Sequence, residues 1–232
     1  MEFYKYSKKG AYHWIDIGHN PKTSNAFVRA RYQICIDLLR SRLAPSKKIK
    51  VLDLGCGDGV MTYLLWKEGY KSEGIDTSSL GISLAIEQHK KFNTSCLFLC
   101  CDSSLIASEE YDAVICSDVI EHVQNPQKLL QETQRILKHE GVAVFSSPIR
   151  ITENPLDKEH IQEWWPSEWE ELFQSFDNTV FFISHPVAIM EMMNNNYLRI
   201  LINLLSIFFD LFSKKRFWNV FALQYAVITK SN

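Results

Sequence analysis

The stretch Val51-Leu52-Asp53-Leu54-Gly55-Cys56-Gly57-Asp58-Gly59 constrains this chain more than any other. An apolar run broken by alternating glycines reads as a buried strand entering a tight turn, with a helix starting near Val60. Glycine lets backbone approach a ligand because no Cβ intrudes, and the N–H groups that open the next helix draw negative charge. Such a turn is a cradle for a nucleotide-like ligand.

Residue types narrow that ligand. A dinucleotide fingerprint, G-x-G-x-x-G, needs its third glycine at position 60, where Val60 stands. Here the third glycine is Gly59, and Asp53 lies in the strand end, two residues before Gly55. A carboxylate there repels pyrophosphate and favours a ligand with an amino group. S-adenosylmethionine carries that amine and a sulfonium, and no phosphate. A second short strand ends at Gly74-Ile75-Asp76, 23 residues after Asp53, where an acid is placed to accept both ribose hydroxyls. The alternative is a glycine turn with a capping Asp and no ligand.

With both landmarks in place the sequence resembles the class I S-adenosylmethionine-dependent methyltransferases, whose first motif has this D-x-G-x-G-x-G form. The resemblance covers about residues 23–184 and 224–230. It implies a seven-stranded, mostly parallel doubly wound α/β sheet, the Rossmann-like methyltransferase fold, whose last two strands pair antiparallel. It also implies a cofactor set of Asp53, Gly55, Cys56, Gly57, Asp76 and Thr77. Asp102 after the third strand would receive the adenine amine, with Ser103 beside it and Ser117 ending the fourth strand.

The rest of the chain fits one domain over 1–232. Residues 1–45 make an N-terminal segment and helix, 48–184 a cofactor-binding core, 186–223 a helical insertion and 224–230 a last strand. Residues 1–22 hold Tyr4, Tyr6, Tyr12, His13 and Trp14 without usable periodicity, either a loose arm or a lid over the ligand. Thr23-Ser24-Asn25 can cap a helix running to about Leu43. Its stripe of Phe27, Val28, Ile34, Cys35, Leu38 and Leu39 contains Arg31, while Arg29 lies off it. A buried arginine needs an anion, and both the ligand's carboxylate and a core acid are candidates. Beyond the glycine turn, strand-like runs alternate with helical patterns, which means parallel β-α units with the ligand outside the strand C-termini. The connection from 147 to 166 is long, as functional loops often are.

Asp118, Glu121 and His122 are spaced i, i+3 and i+4, one face of a helical turn at that ligand edge. His160 lies in the long loop that folds over the same edge. This cluster resembles ubiquinone-biosynthesis O-methyltransferases and small-RNA 2'-O-methyltransferases, where E-x-x-E-H holds a divalent metal such as Mg²⁺. Here Asp118 replaces the first Glu. Three readings stay open: a metal held by Asp118, Glu121, His122 and His160; a metal-free base formed by His122 with His160 and Glu121; or a structural cluster. The other histidines read as surface or core residues.

The insertion departs from the family pattern. Tyr197 to Phe212 is apolar except for Arg199, Asn203, Ser206 and Asp210, spaced 4, 3 and 4 apart, one polar stripe on a helix. At about 1.5 Å per residue it falls short of a bilayer core of roughly 30 Å. It reads as a dimer face, a lid, or an in-plane membrane helix helped by Lys214-Lys215-Arg216 and Phe217-Trp218.

A net charge of −2 argues against extended nucleic-acid binding. The six cysteines include no C-x-x-C pair and read as buried free thiols in a reducing, cytoplasmic setting. The start, Met1-Glu2-Phe3-Tyr4-Lys5, has no apolar core of a secretion signal. The expected activity is O-methylation of a small hydroxylated metabolite, glycan or lipid-linked intermediate. An amine or RNA-end acceptor, and a catalytically silent binding domain, are the alternatives.

Overall fold

A computed structural model describes residues 4–150, 152–155, 157–176, 178–184, 196–212 and 223–231. The N-terminal segment forms two short helices, α1 (Tyr4–Lys9) and α2 (Tyr12–Asp16), followed by α3 (Ala26–Arg40). The core then alternates β1 (Lys50–Leu54), α4 (Val60–Glu68), β2 (Lys71–Asp76), α5 (Ser79–Lys91), β3 (Leu97–Cys100) and β4 (Tyr111–Ser117). It continues through α6 (Pro126–Ile136), β5 (Leu137–Pro148), α7 (Pro166–Leu172), β6 (Thr179–Ser184), α8 (Asn196–Phe212) and β7 (Leu223–Thr229).

The seven strands form one sheet in the order β3-β2-β1-β4-β5-β7-β6, parallel except for β7, which runs antiparallel to both neighbours. The expected doubly wound sheet is present. Chain order reverses beside β1, so β1 and β4 lie side by side and their C-terminal ends open a crevice between two diverging crossovers. The inner strands carry apolar residues on both faces, which gives two buried clusters. One joins α3 and α4 to Val51, Ile115 and Val144; the other joins α6 and α7 to Leu52, Val114 and Phe145. Covered this way, the sheet acts as a rigid floor for the loops at its edge.

Local capping sets the helix starts. The Asn25 side chain accepts from the Phe27 amide, Ser78 from Gly81 and Asn125 from Lys128, each satisfying an amide that the helix leaves unpaired. The thiols are all free, as expected, yet Cys100 is exposed because β3 is an edge strand.

The insertion differs from its sequence reading. Helix α8 docks through its polar stripe: Asn203 and Ser206 are buried, while Leu201, Leu204, Leu205 and Phe208 are about half exposed. The reason is the α3 N-terminus. Asn203 Oδ1 accepts from the Ala26 amide at 2.9 Å, and its Nδ2 donates to the Pro21 and Ser24 carbonyls at 3.0 and 2.7 Å. Arg29, off the expected apolar stripe, is nevertheless buried, and it donates to Ser206 Oγ at 2.7 Å. Residues 186–195 and 213–222, including the basic and aromatic run 214–218, lie outside the described residues.

Asn203→Ala strands three backbone groups at this joint. It is expected to cost roughly 3 kcal/mol of stability in urea unfolding, while Leu201→Ala on the exposed side costs under about 1 kcal/mol.

Candidate active site

The glycine turn is held from β2. Gly55 and Cys56 amides both donate to the Ile75 carbonyl at 2.9 Å. Asp76 takes the Gly57 amide on one oxygen at 2.8 Å and the Ser78 amide on the other at 2.7 Å. Gly55 has φ +77°, and a Cβ there would lie 2.4 Å from a Val119 methyl. Only glycine fits the turn against the β4 loop.

Asp53 is buried and accepts from Thr62 Oγ1 at 2.6 Å. Burial pushes its carboxyl up to about 7, against the Thr62 hydrogen bonds. Asp102, exposed after β3, caps Ser104, and that hydrogen bond holds its carboxyl low.

A single cavity of about 1420 Å³ runs along this edge. It is lined by Arg31, Asp53, Gly55, Cys56, Asp76, Thr77, Asp102, Ser103 and Ser117, all expected from the sequence. Gly57 is absent from the wall because Tyr6 lies on it, its phenol oxygen 1.8 Å from where a Gly57 Cβ would stand. The N-terminal segment is therefore a cover and not a loose arm. His13 donates its backbone amide to Asp58 and brings Nδ1 to the same carboxylate at 3.1 Å, while the Trp14 indole donates to the Asp58 carbonyl at 2.7 Å. His13 thus has an acidic partner that its sequence neighbours do not reveal.

At the cavity's other end, the sequence cluster divides. Asp118 is not on a helical turn with Glu121 and His122; it has φ +51° and precedes the short 3-10 turn Ile120–His122. Its carboxylate pairs with Arg31 and also accepts from Ser146 Oγ at 3.1 Å. Burial is the largest influence and works against the Arg31 charge, but the Asp118 carboxylate together with Tyr32 and Glu121 outweighs it and raises the guanidinium above its ordinary value. Arg31 is thus paired with a core acid while it still lines the cavity.

Glu121, His122 and His160 do come together, with one potential ligand atom from each within 4.8 Å of the others. Glu121 is fully buried behind the cavity wall, and among the described residues neither of its carboxylate oxygens has a hydrogen-bond partner. Burial and then the Asp118 charge raise its carboxyl well above the usual range. His122 Nδ1 lies 2.9 Å from the Glu159 carbonyl, which can only accept, so Nδ1 carries the proton and Nε2 the lone pair. His160 Nδ1 lies 2.5 Å from buried Glu163, and the two imidazole rings meet edge to face at 4.8 Å. Glu163, three residues after His160, was not singled out from the sequence, although the spacing is visible there.

A family model for a methyltransferase domain matches residues 27–185. The chain belongs to that methyltransferase-domain family. It is an S-adenosylmethionine-dependent methyltransferase. A ubiquinone biosynthesis O-methyltransferase of Rickettsia bellii is 27% identical over 175 residues, 73% of this chain and 70% of that protein. Phosphoethanolamine N-methyltransferase 2 of Haemonchus contortus, solved with S-adenosyl-L-methionine, aligns with a TM-score of 0.68 at 16% identity, covering 98% of this chain and 58% of that one. The [4+2]-cyclase SpnF aligns at 0.61 and 13% identity, over 86% and 80% of the two chains. At such identities the structures share the fold with this methyltransferase; the acceptor is a matter for side chains.

The Asp53 carboxyl gives a pH test of the cofactor end. Below its raised pKa it is protonated, and a ligand ammonium nearby favours the ionised form, so binding must expel a proton as pH falls. S-adenosylmethionine affinity should therefore rise from about pH 5.5 to about 7, by at most about tenfold per unit. Asp53→Asn should flatten that slope in calorimetry.

Proposed function

We propose that this methyltransferase O-methylates a small hydroxylated acceptor, with His122 and His160 receiving the acceptor proton. When bound, S-adenosylmethionine supplies a methyl group already activated by its sulfonium, and Asp53, Gly55, Asp76, Thr77, Asp102 and Ser103 would hold it. What remains is to align the acceptor oxygen and remove its proton. The observation that carries the reading is the fixed tautomer of His122, whose Nε2 lone pair belongs to a residue on the cavity wall. Burial pushes His122 below its ordinary pKa, which keeps the ring neutral and able to accept. The chain's own part would be to hold the acceptor hydroxyl toward that methyl group and to take its proton on the Nε2 lone pair of His122. Tyr12, Phe27, Val28, Ile149 and Ile161 on the wall suit an acceptor with an aromatic or apolar body. The O-methyltransferase name of the Rickettsia relative favours oxygen over nitrogen.

The orphaned carboxylate of Glu121 favours a second form of the same reading. With two imidazole nitrogens it makes an oxygen and nitrogen donor set suited to a divalent cation. Glu121, His122 and His160 would hold it, and it would lower the pKa of the acceptor hydroxyl. Asp118 is spent on Arg31 and takes no part.

Transfer of labelled methyl from S-adenosylmethionine to catechol and amine panels tests the acceptor class; methylation of amines alone rejects it. His122→Ala and His160→Ala should each lower turnover by roughly 10²-fold to 10⁴-fold with cofactor affinity kept. Chelator should abolish turnover, and Mg²⁺ or Mn²⁺ restore it, only in the metal form.

The lipid-facing role of α8 belongs to the same proposal. No described helix is long and apolar enough to cross a membrane. Leu201, Leu204 and Leu205 nevertheless face outward at 51%, 48% and 42% exposure, and Lys214-Lys215-Arg216 follow in the chain. An apolar helix face followed in sequence by basic residues suits an anionic bilayer surface. Sedimentation with phosphatidylglycerol vesicles should be lost in Leu201→Ser/Leu204→Ser/Leu205→Ser with folding intact. A dimer that the triple variant dissociates assigns the face to a second copy instead.

A further inference from the structure

Lys5 lines the cavity together with Asp157 and Glu159. Its amine meets Asp157 Oδ2 at 2.6 Å and approaches Glu159 Oε2 at 3.5 Å, an ionic contact at half-buried side chains. The next residue, Tyr6, lies on Gly57. Both sit on the six-residue helix α1, which the Gly10 amide closes onto the Tyr6 carbonyl at 2.9 Å. A ligand that shifts the phenol off the glycine turn must therefore carry the amine with it.

The far side of the contact is equally connected. The Glu159 carbonyl holds His122 Nδ1, and Asp157 accepts the amides of Glu159 and His160 at 3.0 and 3.1 Å. The Ile161 amide donates to the Glu121 carbonyl at 2.9 Å. These bonds make residues 157–161 one piece with the turn bearing Glu121 and His122.

We propose that Lys5 is a positioning residue that couples the cover over the cofactor turn to the loop that orients His122 and His160. Ligand on the glycine turn sets the acceptor end through this contact. The proposal rests on the cofactor reading above. Two carboxylates on one ammonium make the contact selective for a cation of that length, and its partial burial protects it from full solvent screening.

Amide hydrogen exchange with S-adenosylhomocysteine as the probe tests it on the whole chain. In the wild-type protein the probe should slow exchange at Glu159, His160 and Ile161 by about tenfold or more. In Lys5→Met the probe should still bind within about threefold by calorimetry, yet change exchange at those amides by less than about twofold. Lys5→Arg should retain the effect, and the charge-reversed pair Lys5→Glu with Asp157→Lys should recover part of it. A merely structural lysine would raise exchange equally with and without the probe, and that result overturns the coupling. Persistence of the full probe effect in Lys5→Met overturns it as well, as does loss of probe binding in that variant. Failure of the wild-type protein to bind the probe removes the cofactor reading beneath it, which calorimetry alone reports.

Discussion

The two hydrogen bonds that Asp76 accepts are the hinge of the site. A strand end has no intrinsic reason to hold the next crossover's glycine loop in one place, because glycines are conformationally free. By taking the Gly57 amide on one oxygen and the Ser78 amide on the other, Asp76 fixes the β1 turn and the α5 entry at once. Burial opposes the charge of Asp76, and these backbone amides work the other way. The same carboxylate that the sequence marks as a ribose acceptor is thus also the piece that builds the floor on which a ribose could sit.

From that floor outward, the architecture depends on what covers the crevice. The α1 and α2 cover lies on the turn through Tyr6, His13 and Trp14, and the 147–166 loop closes the opposite side. The cover helices lie outside the sheet, and the loop leaves it at the end of β5, Pro148. Both are held by polar contacts and by aromatic side chains, buried Tyr6 and partly buried Trp14 on the cover and buried Trp164 on the loop. The sheet and the pieces that cover it are therefore separated along the chain, with function at their junction.

The sheet was legible in the sequence because its signals are local. Alternating runs, the glycine turn, Asn25 and Asn125 caps and the spacing of Asp53 from Asp76 all act within a few residues or one β-α unit. What escaped was tertiary. The Asp118, Glu121 and His122 spacing reads as one helical face, but Asp118 takes a left-handed backbone and is drawn to Arg31, 87 residues away. The His13 contact with Asp58 and the Lys5 contact with Asp157 likewise span 45 and 152 residues. Helix α8 shows the same limit from the other direction. Its polar stripe is plain in the sequence, yet which face turns inward was decided by unpaired groups at the α3 N-terminus that no pattern within the helix encodes.

Asp118 decides how the histidine end of the cavity is built. Its carboxylate, at the close of β4, reaches Arg31 and Ser146 and gives a buried arginine an anion. Glu121, three residues on, is fully buried, and among the described residues its carboxylate oxygens have no hydrogen-bond partner; burial and the Asp118 charge raise its carboxyl, against the pull of the Arg31 charge. The chain therefore separates an ion pair that ties α3 to the close of β4 from a second, buried carboxylate beside the two histidines. Two acids three residues apart are thus treated differently by their surroundings, Asp118 by its pairing with Arg31 and Glu121 by the burial that raises its carboxyl.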